Sequence, residues 1–356
     1  MIMNTISVDV SVKYNVHVGL RILEQLGEEI RTTLPNAKKI GIITDSNVEP
    51  LYLKTVADLL IAAGFQVISY TFPAGEDSKN GQQYLTILSW LAENRLTRSD
   101  ALVALGGGVV GDLTGFVAAT YLRGVQFVQI PTTLLAMVDS SVGGKTGIDL
   151  PEGKNLAGAF YQPALVVCDI NTLNTLPENV WRDGMAEVIK YGMLGNAELL
   201  RMLQGLFFDD LHGLVSVITV CISMKRDIVE QDEFDTGERM LLNLGHTIGH
   251  AVEQLSRLKI SHGNAVAIGM AMITRAAVAK NVCPPACLHG LETLLTQYDL
   301  PMKTHYTAKD IFEATLQDKK RKDNQITEVI PVSVGQCELR KMPVEEMLEW
   351  IEMGLR

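Results

Sequence analysis

Two histidines stand four residues apart in NLGHTIGHAVEQL, His246 and His250, in a chain that has only seven. If this run is helical, the spacing stacks both imidazoles on one face. Counting back from His246 by three and then four reaches Asn243 and Arg239. A single helix would then carry Arg239, Asn243, His246 and His250 on one stripe. A polar, partly cationic stripe in an apolar run is costly to bury without partners. His262 follows in SHGNAVAIGM, and Glu187 and Lys190 lie three apart in GMAEVIKYG, again on one helical face. Two or three imidazoles with one carboxylate could hold a divalent ion. Nitrogen and oxygen ligands without thiolate suit zinc or cobalt at a catalytic site with an open position. The competing reading is a buried polar network that hydrogen-bonds internally and binds nothing.

A second kind of chemistry is written in LVALGGGVVGDLTGFVAA, where Gly106, Gly108 and Gly111 make a Gly-x-Gly-x-x-Gly pattern between a strand-like and a helix-like run. Glycine there lets backbone N–H groups approach a pyrophosphate, which a helix N-terminus also attracts. The acidic residue expected about 20 positions on is missing, since Pro131 stands there. The ribose hydroxyls then need another partner: Glu76 and Lys79 in PAGEDSK, or Asp45 at the end of the first core strand. In VDSSVGGKTGIDLPEGKNLAGAFYQP, Asp139, Lys145, Lys154 and Asn155 are interleaved with glycines. A lone lysine is ordinarily a solvated charge, but two on flexible glycine-rich backbone suit a phosphate or carboxylate cradle.

The elements that must position these residues follow from periodicity. KKIGIITD, QVISYTF, DALVALGGG and VQFVQIPTT read as strands, with VEPLYLKTVADLLIAAG and QQYLTILSWLAENR as helices between them. That rhythm predicts a mainly parallel sheet with helices on both faces. From about residue 180 the period changes. WRDGMAEVIKYGML, LVSVITVCISMKRDIVEQ, ERMLLNLGHTIGHAVEQL and NAVAIGMAMITRAAVAK are helical, and ITEVIPVSV is a late strand-like stretch. A chain of 356 residues exceeds one typical core. The expectation is an α/β, Rossmann-like nucleotide-binding domain at 1–178 and an all-α, metal- and substrate-binding domain at 179–356. The N-terminal MIMNTISVDVSVKYNVHVG alternates like a strand and lacks the cationic start and apolar centre of a secretory leader. No apolar run reaches the roughly 20 residues of a membrane span. A net charge of −10 argues against nucleic acid or a membrane surface as partner. Five scattered cysteines suit a reducing cytoplasm, and CPPAC, with no second pair, reads as a turn rather than a metal site.

Several of these segments together carry a resemblance. GGGVVGDLTGFVAATYLRGVQFVQIPTTLLAMVDSSVGGKTGID, GKNLAGAFYQP, GMAEVIKYG, NLGHTIGHAVE and HGNAVAIGM, in that order, resemble the 3-dehydroquinate synthase family. The similarity runs from TDSNV near the start to DKK at 318–320. The resemblance implies an NAD-binding α/β domain, a helical metal-binding domain and an active site in the cleft between them. It implies Glu187, His246 and His262 as ligands of one divalent metal, zinc or cobalt, leaving His250 to transfer protons or orient substrate. With His250, the implied catalytic set is Lys145, Lys154, Asn155, Lys190, Arg239 and Asn243. Arg123, Asp139, Lys225 and a lysine of DKK, Lys319 or Lys320, would contact substrate. NAD would be held by Asp45, Glu76, Lys79, Gly108, Val109, Val110, Gly111, Asp112, Thr132, Thr133, Thr172, Leu173, Asn174 and Thr175, with Lys145 and Lys154 facing both ligands.

The enzyme so implied is a cytoplasmic, homodimeric carbon–oxygen lyase of the shikimate pathway, serving aromatic amino-acid biosynthesis, and its partner is a small sugar phosphate. It would convert 3-deoxy-D-arabino-heptulosonate 7-phosphate to 3-dehydroquinate and phosphate. The steps are transient oxidation at C5 by NAD, phosphate elimination, re-reduction and intramolecular aldol closure, with the metal lowering the pKa of the oxidised hydroxyl. A phosphate and a carboxylate at opposite ends of one substrate make sense of the many cations. Other readings are another sugar-phosphate cyclase such as 2-deoxy-scyllo-inosose synthase, a metal-dependent polyol dehydrogenase, and a non-catalytic NAD- or metal-binding regulator. VDSSVGGKTGID and the pair Lys154–Asn155 favour a substrate carboxylate, and intact Glu187, His246, His262 and Lys154 disfavour the regulator. Two positions depart from the family pattern. Asn264 replaces the usual glutamate after HG, which touches the tuning around His262. RKDNQ replaces a glycine-bearing turn after DKK.

Overall fold

The computed structural model describes residues 3–257, 259–316 and 324–356. In chain order it begins with β1 (Met3–Val8), β2 (Tyr14–Gly19), α1 (Leu26–Thr33), β3 (Lys39–Asp45), α2 (Lys54–Ala62), β4 (Gln66–Phe72) and α3 (Gly81–Glu93). There follow β5 (Ala101–Gly106), α4 (Gly108–Thr120), β6 (Gln126–Pro131), β7 (Lys145–Leu150), β8 (Gly153–Phe160) and β9 (Leu165–Asp169). Then come α5 (Glu178–Gly195), α6 (Ala197–Leu203), α7 (Leu211–Gln231), α8 (His246–Leu255), α9 (His262–Ala279), α10 (Pro285–Gln297) and α11 (Ala308–Thr315). The chain ends with β10 (Gln325–Ser333), β11 (Gln336–Pro343) and α12 (Val344–Leu355). It divides into two compact units, Met1–Pro177 with Asp209–Phe234, and Glu178–Phe208 with Asp235–Arg356.

The first unit is built on a seven-stranded sheet in the order β1-β2-β9-β6-β5-β3-β4. Only the β1–β2 pair is antiparallel. The N-terminal alternation thus belongs to a hairpin of two strands, not to one long strand. All six residues of β5 are buried, as a parallel strand covered on both faces requires. Alternate residues face opposite layers. Ile40, Ile42, Val103 and Leu105 pack with Leu26 and Ile30 of α1 and Val56 and Leu60 of α2. Ile43, Leu102 and Ala104 pack with Ile87 and Leu91 of α3 and Val110, Leu113 and Val117 of α4.

Two features of this unit differ from the sequence reading. The glycine-rich stretch after Asp139 is not loose backbone: β7 and β8 pair antiparallel. Helix α7 has the period of the second half yet belongs to the first unit. Asn4 Nδ2 donates to Thr219 Oγ1 at 3.0 Å and the Asp9 N–H to Glu230 Oε1 at 2.7 Å. An amphipathic period says that a helix has an apolar face, not which sheet or helix will cover it.

The second unit is helical, with β10 and β11 forming one antiparallel hairpin. Helix α9 is apolar on nearly every side, and α5, α8, α10 and α12 pack around it. The stretch from Arg239 to His250 is not the single helix that spacing predicts. Glu238–Asn243 is a 3-10 turn, and Gly245 at φ +75° is the N-cap from which α8 starts. Gly245 lies so close to α9 that a Cβ there would come within 2.6 Å of the Met270 nitrogen. The tight crossing of α8 and α9 breaks the stripe, and only His246 and His250 keep helical register. Among the described residues no helix is long and apolar enough to cross a membrane.

Candidate active site

In the first unit, nearly all the predicted nucleotide contacts follow C-terminal ends of the parallel strands, the edge at which such sheets bind nucleotides. Asp45 ends β3, and its Oδ1 accepts the N–H groups of Asn47 and Val48 at 2.8 and 3.0 Å. Gly106 ends β5, and α4 starts at Gly108 with no side chain capping it, so its first-turn N–H groups have no intrahelical acceptor. A Cβ at Gly111 would lie 2.6 Å from Gln129 Oε1 of β6, so glycine is what lets the helix approach the sheet. Val110 is buried, which leaves backbone as the means by which Gly108, Val110 and Gly111 would meet a ligand. Thr132 follows β6, and its Oγ1 is buried with no hydrogen-bond partner among the described residues. Thr133 packs on the glycine turn. Beyond β9, Thr172 and Thr175 are tied to the Tyr52 hydroxyl, Leu173 is core, and Asn174 is exposed. A glycine turn, an uncapped helix start and an orphaned buried hydroxyl fit a dinucleotide.

Beside this turn lies a charged cluster. Lys79, only 4 % exposed, places Nζ 2.5 Å from Asp112 Oδ2 and 2.6 Å from Asn155 Oδ1. Burial opposes its charge, but the carboxylates of Asp112 and Glu76 outweigh that and hold its pKa above the ordinary lysine value. Asn155 is kept in the left-handed region, at φ 53°, by its N–H donating to Asp149 Oδ1 at 2.8 Å. Asp149 is a member of the cluster that sequence reading missed. Lys154 Nζ is 3.4 Å from Glu76 Oε1, and Lys145 opens β7, exposed. Lys225 Nζ donates to the Asp139 carbonyl at 2.6 Å and also to its carboxylate. Lys79→Met should destabilise the protein by less than the roughly 3–5 kcal/mol of a fully buried pair, because the Asp112 carboxylate it leaves uncompensated is partly exposed. Urea unfolding measures this, and an unchanged midpoint would mean that the pair contributes nothing.

Arg123 is exposed beyond the last turn of α4.

In the second unit, α5, α8 and α9 bring Glu187, His246 and His262 together, with one ligand atom from each lying within 4.8 Å of the others. Glu187 is 0 % exposed. Its Oε2 is 2.5 Å from Lys190 Nζ, while Oε1 is 3.5 Å from His246 Nε2 and 3.2 Å from His262 Nε2. His246 Nδ1 lies 3.1 Å from the Leu244 carbonyl, which only accepts, so Nδ1 carries the proton and Nε2 keeps its lone pair. Burial, helped by the neighbouring cation Lys190, outweighs the pull of the Glu187 carboxylate and holds the His246 pKa well below the usual value. A neutral imidazole lone pair and a buried carboxylate oxygen therefore face each other as two acceptors, an arrangement that a cation completes. Burial opposes charge on His262, yet Glu187 and Glu253 raise its pKa to about 10. With a divalent ion in place of the proton on His262 Nε2, the trio would offer two nitrogens and one oxygen.

His250 is exposed, its ring centroid 5.3 Å from that of His246 and 6.0 Å from that of His262. Glu253 is a further residue that sequence reading missed. It is buried, with Oε2 3.5 Å from His262 Nδ1, and its signal was its place three residues after His250 on one face. His250, Glu253 and His262 form a second group able to hold a cation. Arg239 is fully buried in the 3-10 turn, which packs against α5, and Asn243 Nδ2 donates to the Met240 carbonyl at 3.0 Å. Lys319 and Lys320 lie outside the described residues.

A parallel-sheet unit with a glycine turn and a helical unit is an architecture that the chain shares with two solved synthases. A solved 2-deoxy-scyllo-inosose synthase, complexed with carbaglucose-6-phosphate, NAD+ and Co2+, matches with a TM-score of 0.87 and 26% identity, covering 99% of this chain and 100% of that one. The 2-epi-5-epi-valiolone synthase of Streptomyces hygroscopicus, at TM-score 0.88 and 24% identity over 98% of each chain, shares the fold. Residues 69–183 match the family model for the 3-dehydroquinate synthase N-terminal region and residues 184–321 that for the C-terminal region. The 3-dehydroquinate synthase of Streptococcus thermophilus is 42% identical over 344 residues, 95% of this chain and 97% of that protein. The chain belongs to the 3-dehydroquinate synthase family.

Proposed function

We propose that this chain converts 3-deoxy-D-arabino-heptulosonate 7-phosphate to 3-dehydroquinate and phosphate, as a carbon–oxygen lyase that uses NAD and one divalent metal, zinc or cobalt. The observation that carries this reading is the buried trio, with Glu187 Oε1 at 3.5 and 3.2 Å from two imidazole nitrogens, in a chain 42% identical to a 3-dehydroquinate synthase. Bound together, NAD supplies a temporary hydride acceptor and the ion polarises the hydroxyl being oxidised.

The chain's own residues do the rest. Glu187, His246 and His262 hold the ion, and the Leu244 carbonyl keeps His246 in the tautomer that presents Nε2. Lys190 offsets the charge of Glu187. His250, exposed beside the trio, moves protons, and Arg239 and Asn243 contact substrate. The glycine turn, Asp45, Thr132, Thr133 and the 172–175 run hold the dinucleotide. Lys79 fixes Asp112 and Asn155, while Glu76 engages Lys154. Lys145, Lys154, Asn155 and the pair Asp139–Lys225 serve the substrate's anionic groups. Arg123, exposed beyond α4, contacts substrate as the resemblance implies. The reading includes a homodimer in the cytoplasm, and light scattering on purified protein checks the dimer.

The experiment follows phosphate release and NADH absorbance together with catalytic NAD. Many equivalents of phosphate per NAD with no net NADH are expected, because the hydride is taken and returned. Stoichiometric NADH would make the chain a polyol dehydrogenase. Turnover of glucose 6-phosphate in place of the heptulosonate would make it a 2-deoxy-scyllo-inosose synthase.

A further inference from the structure

His262 is the first residue of α9, so its imidazole is only as well placed as the start of that helix. Ser261 occupies the N-cap in extended backbone, but its hydroxyl does not bond to the helix's own N–H groups. It donates instead to Asp183 Oδ1 of α5, and the same oxygen accepts the Asn264 N–H at 3.0 Å. The Asp183 main-chain carbonyl presses on the same turn, where a Cβ on Gly263 would lie only 1.9 Å from it. One residue thus meets α9 at the N-cap and at its second and third positions. Asp183 also precedes Glu187 by four residues on α5, one turn along the same face.

We propose that Asp183 is a positioning residue for the metal site: from α5 it caps α9 and so fixes His262 against Glu187. The inference rests on the reading of Glu187, His246 and His262 as ligands. Ser-x-x-Glu at a helix start would form a capping box from within the helix. The resemblance puts glutamate at position 264, where this chain has asparagine. Asp183 takes, from the neighbouring helix, the Asn264 N–H that the serine hydroxyl would accept in such a box, and places its negative charge where the helix dipole favours it. Because α5 carries one ligand and α9 another, the cap sets the distance between ligands and does more than stop the helix from fraying.

The test compares cobalt affinity, by competition with a chromophoric chelator, and thermal unfolding of the metal-free protein. The variants are Asp183→Ala, Asp183→Asn, Asn264→Glu and the double variant Asp183→Ala/Asn264→Glu. Asp183→Ala should weaken cobalt binding by about 10–100-fold, the scale of changes in the groups that orient ligands. The double variant should recover most of that loss, and Asn264→Glu alone should not tighten the site. Asp183→Asn, which keeps an oxygen acceptor, should lose less than alanine. Unchanged cobalt affinity in a less stable Asp183→Ala protein would overturn the proposal, as would a double variant no better than the single one. If Asp183→Ala cannot be recovered folded, Asp183→Asn and the double variant carry the comparison. Wild-type protein that binds no cobalt would instead refute the ligand reading itself.

Discussion

Glu187→Gln should leave the protein unable to retain a divalent ion and markedly easier to unfold. The carboxylate is the one anionic donor of the trio, and no part of it is exposed to water. Changes to the groups around a ligand alone cost about 10–100-fold in metal affinity, so loss of the charged ligand should exceed 100-fold. The second effect is independent of metal. Lys190, 1 % exposed, has its ammonium 2.5 Å from Glu187 Oε2, and an amide gives it no compensating charge. Breaking a buried pair from one side costs about 3–5 kcal/mol. Elemental analysis of the purified variant reads the first effect, and urea unfolding of metal-free protein reads the second. Stoichiometric zinc in Glu187→Gln would show that the ion is held elsewhere.

What could be read in advance was whatever local patterning controls. Continuous β-branched runs became parallel strands because burial on both faces demands them. The glycines between β5 and α4 were legible because the turn and the close helix–sheet approach both need residues without side chains. For the carboxylate–imidazole trio, spacing offered only the candidates, Glu187 and three histidines, and the family resemblance chose among them. The failures have long-range causes. The break at Gly245 depends on how close α9 comes, which no spacing within the segment records. The membership of α7 depends on the β1–β2 edge, more than 200 residues earlier in the chain. Glu253 and Asp183 are carboxylates on helices and read as solvated charges until α9 is packed beside them.

The pair that first suggested a metal, His246 and His250, should fail in two different ways. His246→Ala removes Nε2 from beside Glu187, so metal and activity should vanish together. His250→Ala removes an exposed imidazole from the rim of the trio. It should keep the ion near full occupancy while turnover falls by roughly 10²–10⁴-fold, the usual contribution of a positioned acid or base. Two other arrangements give other patterns. If the ion sat between His250, Glu253 and His262, His250→Ala would lose the metal and His246→Ala would keep it. If the histidines were only a buried polar network, both variants would lose stability and neither would change metal content. The Leu244 carbonyl argues for the first pattern, since it commits His246 Nδ1 to a hydrogen bond and leaves Nε2 facing Glu187 as an acceptor. Metal content measured beside turnover on each folded variant separates all three. Equal metal loss in both would make His250 a ligand and remove it from proton transfer.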